Sequence, residues 1–185
     1  SSGVLGEDFV QHEVKIGLER LRRFGLEVKF MENALKGLGY LKEHPEKRAE
    51  DLLQAFSDDS IDMILCAIGG EDTYRLLPYL FEEGQLEKVV KQKIFLGFSD
   101  TTMNHFMLHK LGIKSFYGQA FLPDICELEE EILPYSEQYF LELIQSGSIR
   151  CVEPSPIWYE ERTAFGPKAI GTKRVSHENE GLALK

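Results

Sequence analysis

The chain has 185 residues, of which 43% are hydrophobic and 28% are charged, and its formal net charge is −10. This length suffices for one domain with its own core, and the acidic balance disfavours nucleic-acid binding, which needs a basic face to neutralise phosphates. No apolar run approaches the roughly 20 residues that span a bilayer, and the N-terminal residues lack a signal-peptide pattern, so we expect a cytoplasmic protein that does not bind membranes.

Helix and strand patterns alternate along the chain. The apolar spacing predicts helices at residues 7–25, 45–58, 71–81, 100–112 and 134–147, and strands at residues 26–31, 61–68, 93–98 and 113–118. The segment IDMILCAI (61–68) is apolar almost throughout, which is typical of a strand buried on both faces of a parallel sheet. This order of elements predicts an α/β fold with a mainly parallel sheet flanked by helices.

The two ends of the chain differ from the usual pattern of such a domain. The chain opens with a loop and a helix where a strand is expected, and it ends in a polar, glycine-rich stretch. We therefore expect an α/β domain over residues 1–150 and a linker over residues 151–185, both belonging to a longer protein with a preceding first strand and a following C-terminal domain.

Two predicted strands end in polar turns that open helices. Because ligands of parallel α/β sheets bind beyond the carboxyl ends of the strands, the turns AIGGEDTYR (67–75) and LGFSDTTMN (96–104) are the candidate site. Their tips should lie on the same edge of the sheet. The pairing of the two turns is more specific than either turn alone.

The first turn allows two interpretations. Gly69 and Gly70 permit a close approach of the backbone to a ligand, the following helix directs free N–H groups at the same place, and Thr73 supplies a hydroxyl. Alternatively, Asp72 only caps the helix, and Glu71 pairs with Arg75.

The second turn is also ambiguous. Ser99, Asp100, Thr101 and Thr102 are all good helix caps, and a substrate-facing role gains support only from the neighbouring turn. His105 and His109 have a spacing that can bind a metal, but no third ligand is evident, so we expect no metal site.

The quoted turns resemble those of a known family, the S66 serine peptidases, which comprise LD-carboxypeptidases and microcin C7 self-immunity proteins. IGGEDTYRLLPYL (68–80) resembles the family's nucleophile turn, in which two glycines and two variable residues precede the serine. FLGFSDTTMNHFMLHKLGIKSFYGQAF (95–121) resembles the next block, with its G-[YF]-S-D turn. SSGVLGE (1–7) and HENEGLAL (177–184) resemble the end of the family's first strand and the link to its C-terminal domain.

The resemblance implies a Rossmann-like or flavodoxin-like N-terminal domain with Thr73 at the nucleophile position. The amides of Gly70 and Tyr74 are the candidate oxyanion donors, and Asp72, Ser99 and Asp100 are expected to line the substrate side. A histidine and a glutamate of a C-terminal domain would complete the triad. Members of the family need no metal or other cofactor, are cytoplasmic and commonly form homodimers.

The resemblance also implies the reaction, which is hydrolysis, through an acyl-enzyme, of a bond next to a free C-terminal carboxylate. The substrate would be a murein tetrapeptide or a microcin C7-like aminoacyl nucleotide. Threonine at the serine position leaves two hypotheses open: a hydrolase with a threonine nucleophile, or a non-catalytic member that binds a peptide or a nucleotide-like ligand. Because the triad histidine and glutamate are expected outside the chain, we predict that these 185 residues alone are inactive.

Overall fold

A three-stranded parallel sheet confirms the predicted α/β fold. In the computed structural model, which describes residues 3–181, strands β1 (Met63–Leu65), β2 (Ile94–Gly97) and β3 (Phe116–Tyr117) lie side by side in that order. Leu96 of β2 pairs with Leu65 on one side and with Phe116 on the other. The chain divides into two compact units, one ending at Cys126 and one beginning at Glu127.

The helices of the first unit surround this sheet. They are α1 (Gln11–Arg23), α2 (Leu38–Glu43), α3 (Pro45–Ser57), α4 (Gln85–Val89) and α5 (Thr102–Lys110). Pro45 occupies the first turn of α3, where its missing N–H has no intrahelical partner to lose. The core beside the sheet combines residues of α3, β2 and α5, including Phe56, Phe95 and Leu108, which are fully or almost fully buried.

Three predicted elements differ in the structure. Residues 26–31, predicted as a strand, have no strand pairing among the described residues. The predicted helix at 71–81 consists of a 3-10 turn (Thr73–Leu76) and a π turn (Pro78–Glu82), because Pro78 lacks the N–H that an uninterrupted α-helix requires. Within the predicted strand end (1–7), Val4–Gly6 forms a 3-10 turn, and Ser1 and Ser2 lie outside the described residues.

The second unit consists of helix α6 (Pro134–Ser146) and an antiparallel pair, β4 (Ile157–Tyr159) with β5 (Ser176–Glu178). The carboxylate of Glu127 is buried between two arginines, with both N–O distances to Arg162 and Arg174 at 2.7 Å. Because β4 and β5 pair with each other, the segment predicted as a linker (151–185) contains an antiparallel strand pair. Its role as a link remains a prediction, and residues 182–185 lie outside the described part. Within residues 3–181, no helix is long and apolar enough to cross a membrane.

Candidate active site

The two polar turns meet at the carboxyl ends of β1 and β2. A Cβ atom added to Gly69 in the first turn would lie 2.9 Å from both Cβ and Oγ of Ser99 in the second turn, so the glycine backbone closely approaches the serine side chain. Since β1 and β2 are adjacent and parallel, this is the edge at which α/β folds bind ligands. The predicted proximity of the two turns is confirmed.

Ser99 has an unusual backbone conformation. Its φ is 62°, and it is the one non-glycine residue between positions 3 and 181 with positive φ. Left-handed backbone costs a residue with a Cβ about 1–2 kcal/mol, and such outliers cluster at functional sites. Ser99 is exposed and lies in a 3-10 turn (Ser99–Thr101) between β2 and α5. A strained strand-to-helix turn with an exposed serine hydroxyl is the arrangement of a nucleophile elbow.

The backbone of Ser99 is held by two neighbouring hydroxyl groups. Its N–H donates to Tyr117 Oη at 3.1 Å, and its carbonyl accepts a short hydrogen bond of 2.5 Å from Thr102 Oγ1. These bonds fix the backbone of Ser99, and the residue itself is exposed to solvent. Ser99 is therefore an exposed residue whose backbone is held in place by its neighbours.

Thr73, the predicted nucleophile position, lies in the interior instead. Its relative exposure is 0%, and its Oγ1 donates to Asp100 Oδ2 at 2.6 Å and accepts from Arg48 Nη2 at 3.1 Å. A nucleophile has to contact the substrate, and a hydroxyl enclosed in this way does not. The geometry therefore disagrees with the sequence-based assignment of Thr73 as the nucleophile, because the hydroxyl of this residue joins the two turns.

Asp100 and Asp72 also hold the turns together. Asp100 Oδ2 accepts hydrogen bonds from the backbone N–H of Asp72 (3.2 Å) and of Thr73 (3.0 Å). Asp72 Oδ1 lies 2.5 Å from Arg48 Nη1, and Asp72 Oδ2 lies 3.8 Å from Arg75. These contacts give both carboxylates positions within the protein, and their predicted contribution to substrate binding remains a prediction.

Sequence reasoning missed Arg48, although its spacing contained a signal. Arg48 precedes Leu52 by four residues and Phe56 by eight, so it lies on the buried face of α3. A cation on an apolar helix face predicts a buried anionic partner, since charged residues are almost never fully buried unless they are paired. The structure supplies that partner as Asp72.

The remaining residues predicted for the first turn are exposed. Gly70 and Glu71 are at the surface, and 57% of Tyr74 is accessible to solvent. The oxyanion role of the Gly70 and Tyr74 amides remains a prediction. Arg75 contacts the carboxylate of Asp72 and the carbonyl of Lys42, whereas the sequence suggested a pair with Glu71.

His105 has a structural role beneath the second turn. Its Nε2 bonds to the carbonyl of Gly97 at 3.0 Å, so this nitrogen bears the proton, and Nδ1 accepts from the hydroxyl of Ser115 at 2.8 Å. Burial lowers the pKa of His105 below its ordinary value of 6.5. Both ring nitrogens are engaged, His109 is exposed, and no group of three potential metal ligands occurs among residues 3–181.

Comparison with known proteins shows the class to which this fold and site belong. The family model for the LD-carboxypeptidase N-terminal domain of the S66 peptidases matches residues 1–118. The chain belongs to this family. The resemblance predicted from the two turns is thereby confirmed.

Individual relatives extend the similarity beyond the family model. The probable murein peptide carboxypeptidase of Bacillus subtilis (strain 168) is 31% identical over 134 residues, which are 72% of this chain and 40% of the relative. The crystal structure of an MccF-like protein from Streptococcus pneumoniae in complex with AMP is 69% identical, with a TM-score of 0.96, and the match covers 98% of this chain and 53% of that chain.

The microcin C7 self-immunity protein MccF is a more distant relative. The Escherichia coli protein is 27% identical over 169 residues, which are 88% of this chain and 47% of MccF. A structure of MccF in complex with aspartyl sulfamoyl adenosine has a TM-score of 0.74 at 19% identity, over 96% of this chain and 52% of that chain. The chain thus spans about half the length of the relatives that it matches.

Proposed function

We propose that the protein containing this chain is a serine hydrolase of the S66 type and that Ser99, rather than Thr73, is its nucleophile. The observation that supports this assignment most directly is the left-handed backbone of an exposed serine at the turn between β2 and α5. Thr73 is enclosed between Arg48 and Asp100, and its hydroxyl connects the two turns. A serine nucleophile is also what the resemblance to the S66 serine peptidases implies, although the resemblance placed it at position 73.

In the proposed reaction, Ser99 Oγ attacks the carbonyl carbon of the substrate and forms a tetrahedral intermediate. The bond to the leaving nitrogen then breaks, the nitrogen takes a proton, and water later cleaves the acyl-enzyme. The N–H groups of Ser99, Asp72 and Thr73 already donate within the protein. The amides near Gly70 and of Tyr74 therefore stay our candidates for stabilising the oxyanion.

The general base is proposed to come from a part of the protein outside these 185 residues. His105 is six positions from Ser99 in sequence, but its two ring nitrogens are bonded to Gly97 and Ser115. A histidine oriented by a glutamate, which the resemblance to the family implies, would complete the site. For this reason we expect the 185 residues alone to be inactive.

An aminoacyl nucleotide is the proposed substrate. The Streptococcus pneumoniae relative, at 69% identity, was solved with AMP, and MccF was solved with an aspartyl sulfamoyl nucleoside. A murein peptide is the second candidate, since the Bacillus subtilis relative is a probable murein peptide carboxypeptidase. Homodimer formation and a cytoplasmic location remain predictions, and a non-catalytic ligand-binding role is the alternative function.

The test uses the full-length protein that contains these residues. Release of aspartate from aspartyl sulfamoyl adenosine and of D-alanine from a murein tetrapeptide is measured for the wild type, Ser99→Ala and Thr73→Ser. We expect Ser99→Ala to lose at least about 10³-fold in kcat, and Thr73→Ser to stay within a few-fold of the wild type. Persistent turnover by Ser99→Ala would reject the assignment, and a ligand that binds but is recovered unchanged would support the non-catalytic alternative.

A further inference from the structure

We propose that Arg48 is a positioning residue that locks the two strand-end turns together and thereby holds the backbone of Ser99 in its left-handed conformation. The proposal deepens the function proposed above, in which Ser99 is the nucleophile. Arg48 does not need to touch the substrate for this role. It acts through Asp72, Thr73 and Asp100.

Arg48 makes a forked contact with the first turn. Its Nη1 donates to Asp72 Oδ1 at 2.5 Å, and its Nη2 donates to Thr73 Oγ1 at 3.1 Å. The side chain is only 3% exposed, and its Nε is buried without a hydrogen-bond partner among the described residues. A guanidinium can direct two parallel donors at two acceptors, whereas an ammonium acts as a single charge.

Thr73 transmits this contact to the second turn. The threonine hydroxyl accepts from Arg48 and, with its one proton, donates to Asp100 Oδ2 at 2.6 Å. The same oxygen of Asp100 also accepts the backbone N–H groups of Asp72 and Thr73. Three hydrogen bonds therefore converge on one carboxylate oxygen, and the arginine orients the hydroxyl that donates one of them.

Asp100 follows Ser99 directly in the chain, so the position of its side chain constrains the strained peptide. Gly69 in the first turn closely approaches the Ser99 side chain, which makes the geometry at Ser99 dependent on the separation of the two turns. Without Arg48, the carboxylate of Asp72 would lose its buried cation, and the hydroxyl of Thr73 could rotate away from Asp100. The strained conformation would then have fewer contacts that oppose its relaxation.

The first experiment measures amide hydrogen exchange in the full-length protein for Arg48→Ala and for a matched control, Arg20→Ala. Arg20 is also buried, at 2% exposure, but its Nη1 donates to the carbonyl of Ile125, which belongs to neither of the two turns. For Arg48→Ala we expect the amides of Asp72 and Thr73, which donate to Asp100, to exchange at least about tenfold faster. Arg20→Ala should leave them at the wild-type rate, and added methylguanidinium should restore protection only in Arg48→Ala.

Arg48→Lys provides a second variant that keeps the charge if the alanine variant does not fold. An ammonium has no planar fork with two parallel donors, and lysine is shorter than arginine, so it should hold Asp72 and Thr73 less firmly. We therefore expect intermediate exchange rates. Wild-type exchange at both turns in Arg48→Ala, or equal acceleration in Arg20→Ala, would overturn the proposal, as would a lysine variant with wild-type protection.

A second measurement separates this proposal from the proposed function. A fluorophosphonate probe, which forms a bond to a reactive serine oxygen and releases fluoride, is used to label Ser99. We expect Arg48→Ala to lower the maximal labelling rate by about tenfold or more with little change in probe affinity, and methylguanidinium to raise it again. Absence of labelling in the wild type would refute Ser99 as the nucleophile, whereas the exchange rates would still decide whether Arg48 locks the turns.

Discussion

Replacing Ser99 with glycine should stabilise the protein relative to alanine at the same position while both variants are inactive. The φ of 62° costs a residue with a Cβ about 1–2 kcal/mol, and glycine avoids this cost. Glycine lowers the free energy of unfolding by about 0.4–1 kcal/mol relative to alanine, because the unfolded chain has more conformational freedom. The side chain is exposed, so little packing is lost, and the difference should favour glycine by about 1 kcal/mol.

The comparison between Ser99→Gly and Ser99→Ala isolates the Cβ atom because both variants lack the hydroxyl. Equilibrium urea unfolding of the full-length variants, followed by circular dichroism, gives the two free energies of unfolding. A difference of about 1 kcal/mol corresponds to roughly fivefold in the unfolding equilibrium constant. Equal stability, or a more stable alanine variant, would refute the conclusion that the backbone at this position is strained.

Three further predictions concern the surroundings of this residue. Gly69→Ala should cost about 1–3 kcal/mol in urea unfolding and lower activity, because the new Cβ would lie 2.9 Å from Ser99; wild-type stability would disprove the close approach. Thr73→Val should lower the free energy of unfolding by about 1–3 kcal/mol, because it removes the hydrogen bond to Asp100. Thr73→Ser keeps the hydroxyl and should lower it less. Equal urea midpoints for the two variants would contradict this. Folding lowers the pKa of His105 below 6.5, so near this pH the unfolded chain binds a proton that the folded protein does not bind. The free energy of unfolding should therefore fall as the pH drops below 6.5. If the urea midpoint of His105→Gln depends on pH as that of the wild type does, His105 is not the group responsible.

The sheet and the location of the site were predictable because they depend on local patterns. The apolar run containing β1 and the run containing β2 were correctly predicted as strands, and parallel strands place their carboxyl ends at one edge. The predicted burial holds for most of β2, whereas the three residues of β1 are only partly buried. Residues 26–31 show the limit of such patterns. Their alternation of apolar and polar residues predicts an extended segment. Whether this segment pairs in a sheet depends on a partner strand, which the local pattern does not show.

The assignment of roles within the site was not predictable in the same way. Both turns contain a hydroxyl residue next to a glycine or an acid, so the two look alike in the sequence. A sequence pattern shows neither the sign of φ at a residue nor whether its side chain is buried. The choice between Thr73 and Ser99 depends on tertiary contacts, namely the enclosure of one hydroxyl by Arg48 and Asp100. The sequence did contain one signal, namely Arg48 on the apolar face of α3. A cation on that face indicates that an anionic residue of the protein binds it.

The identities of the two hydroxyl residues nevertheless agree with these roles. A β-branched side chain has restricted χ1 freedom, so threonine at position 73 loses little entropy when its hydroxyl is fixed between a donor and an acceptor. The same branching makes positive φ a genuine outlier for threonine, whereas serine, with one heavy atom on Cβ, tolerates it at lower cost. Exchange of the two residues would therefore place the stiffer side chain in the strained turn and the more flexible one in the buried network. The order in which threonine and serine occur along the chain thus agrees with the proposed division between a structural hydroxyl at position 73 and a reactive one at position 99.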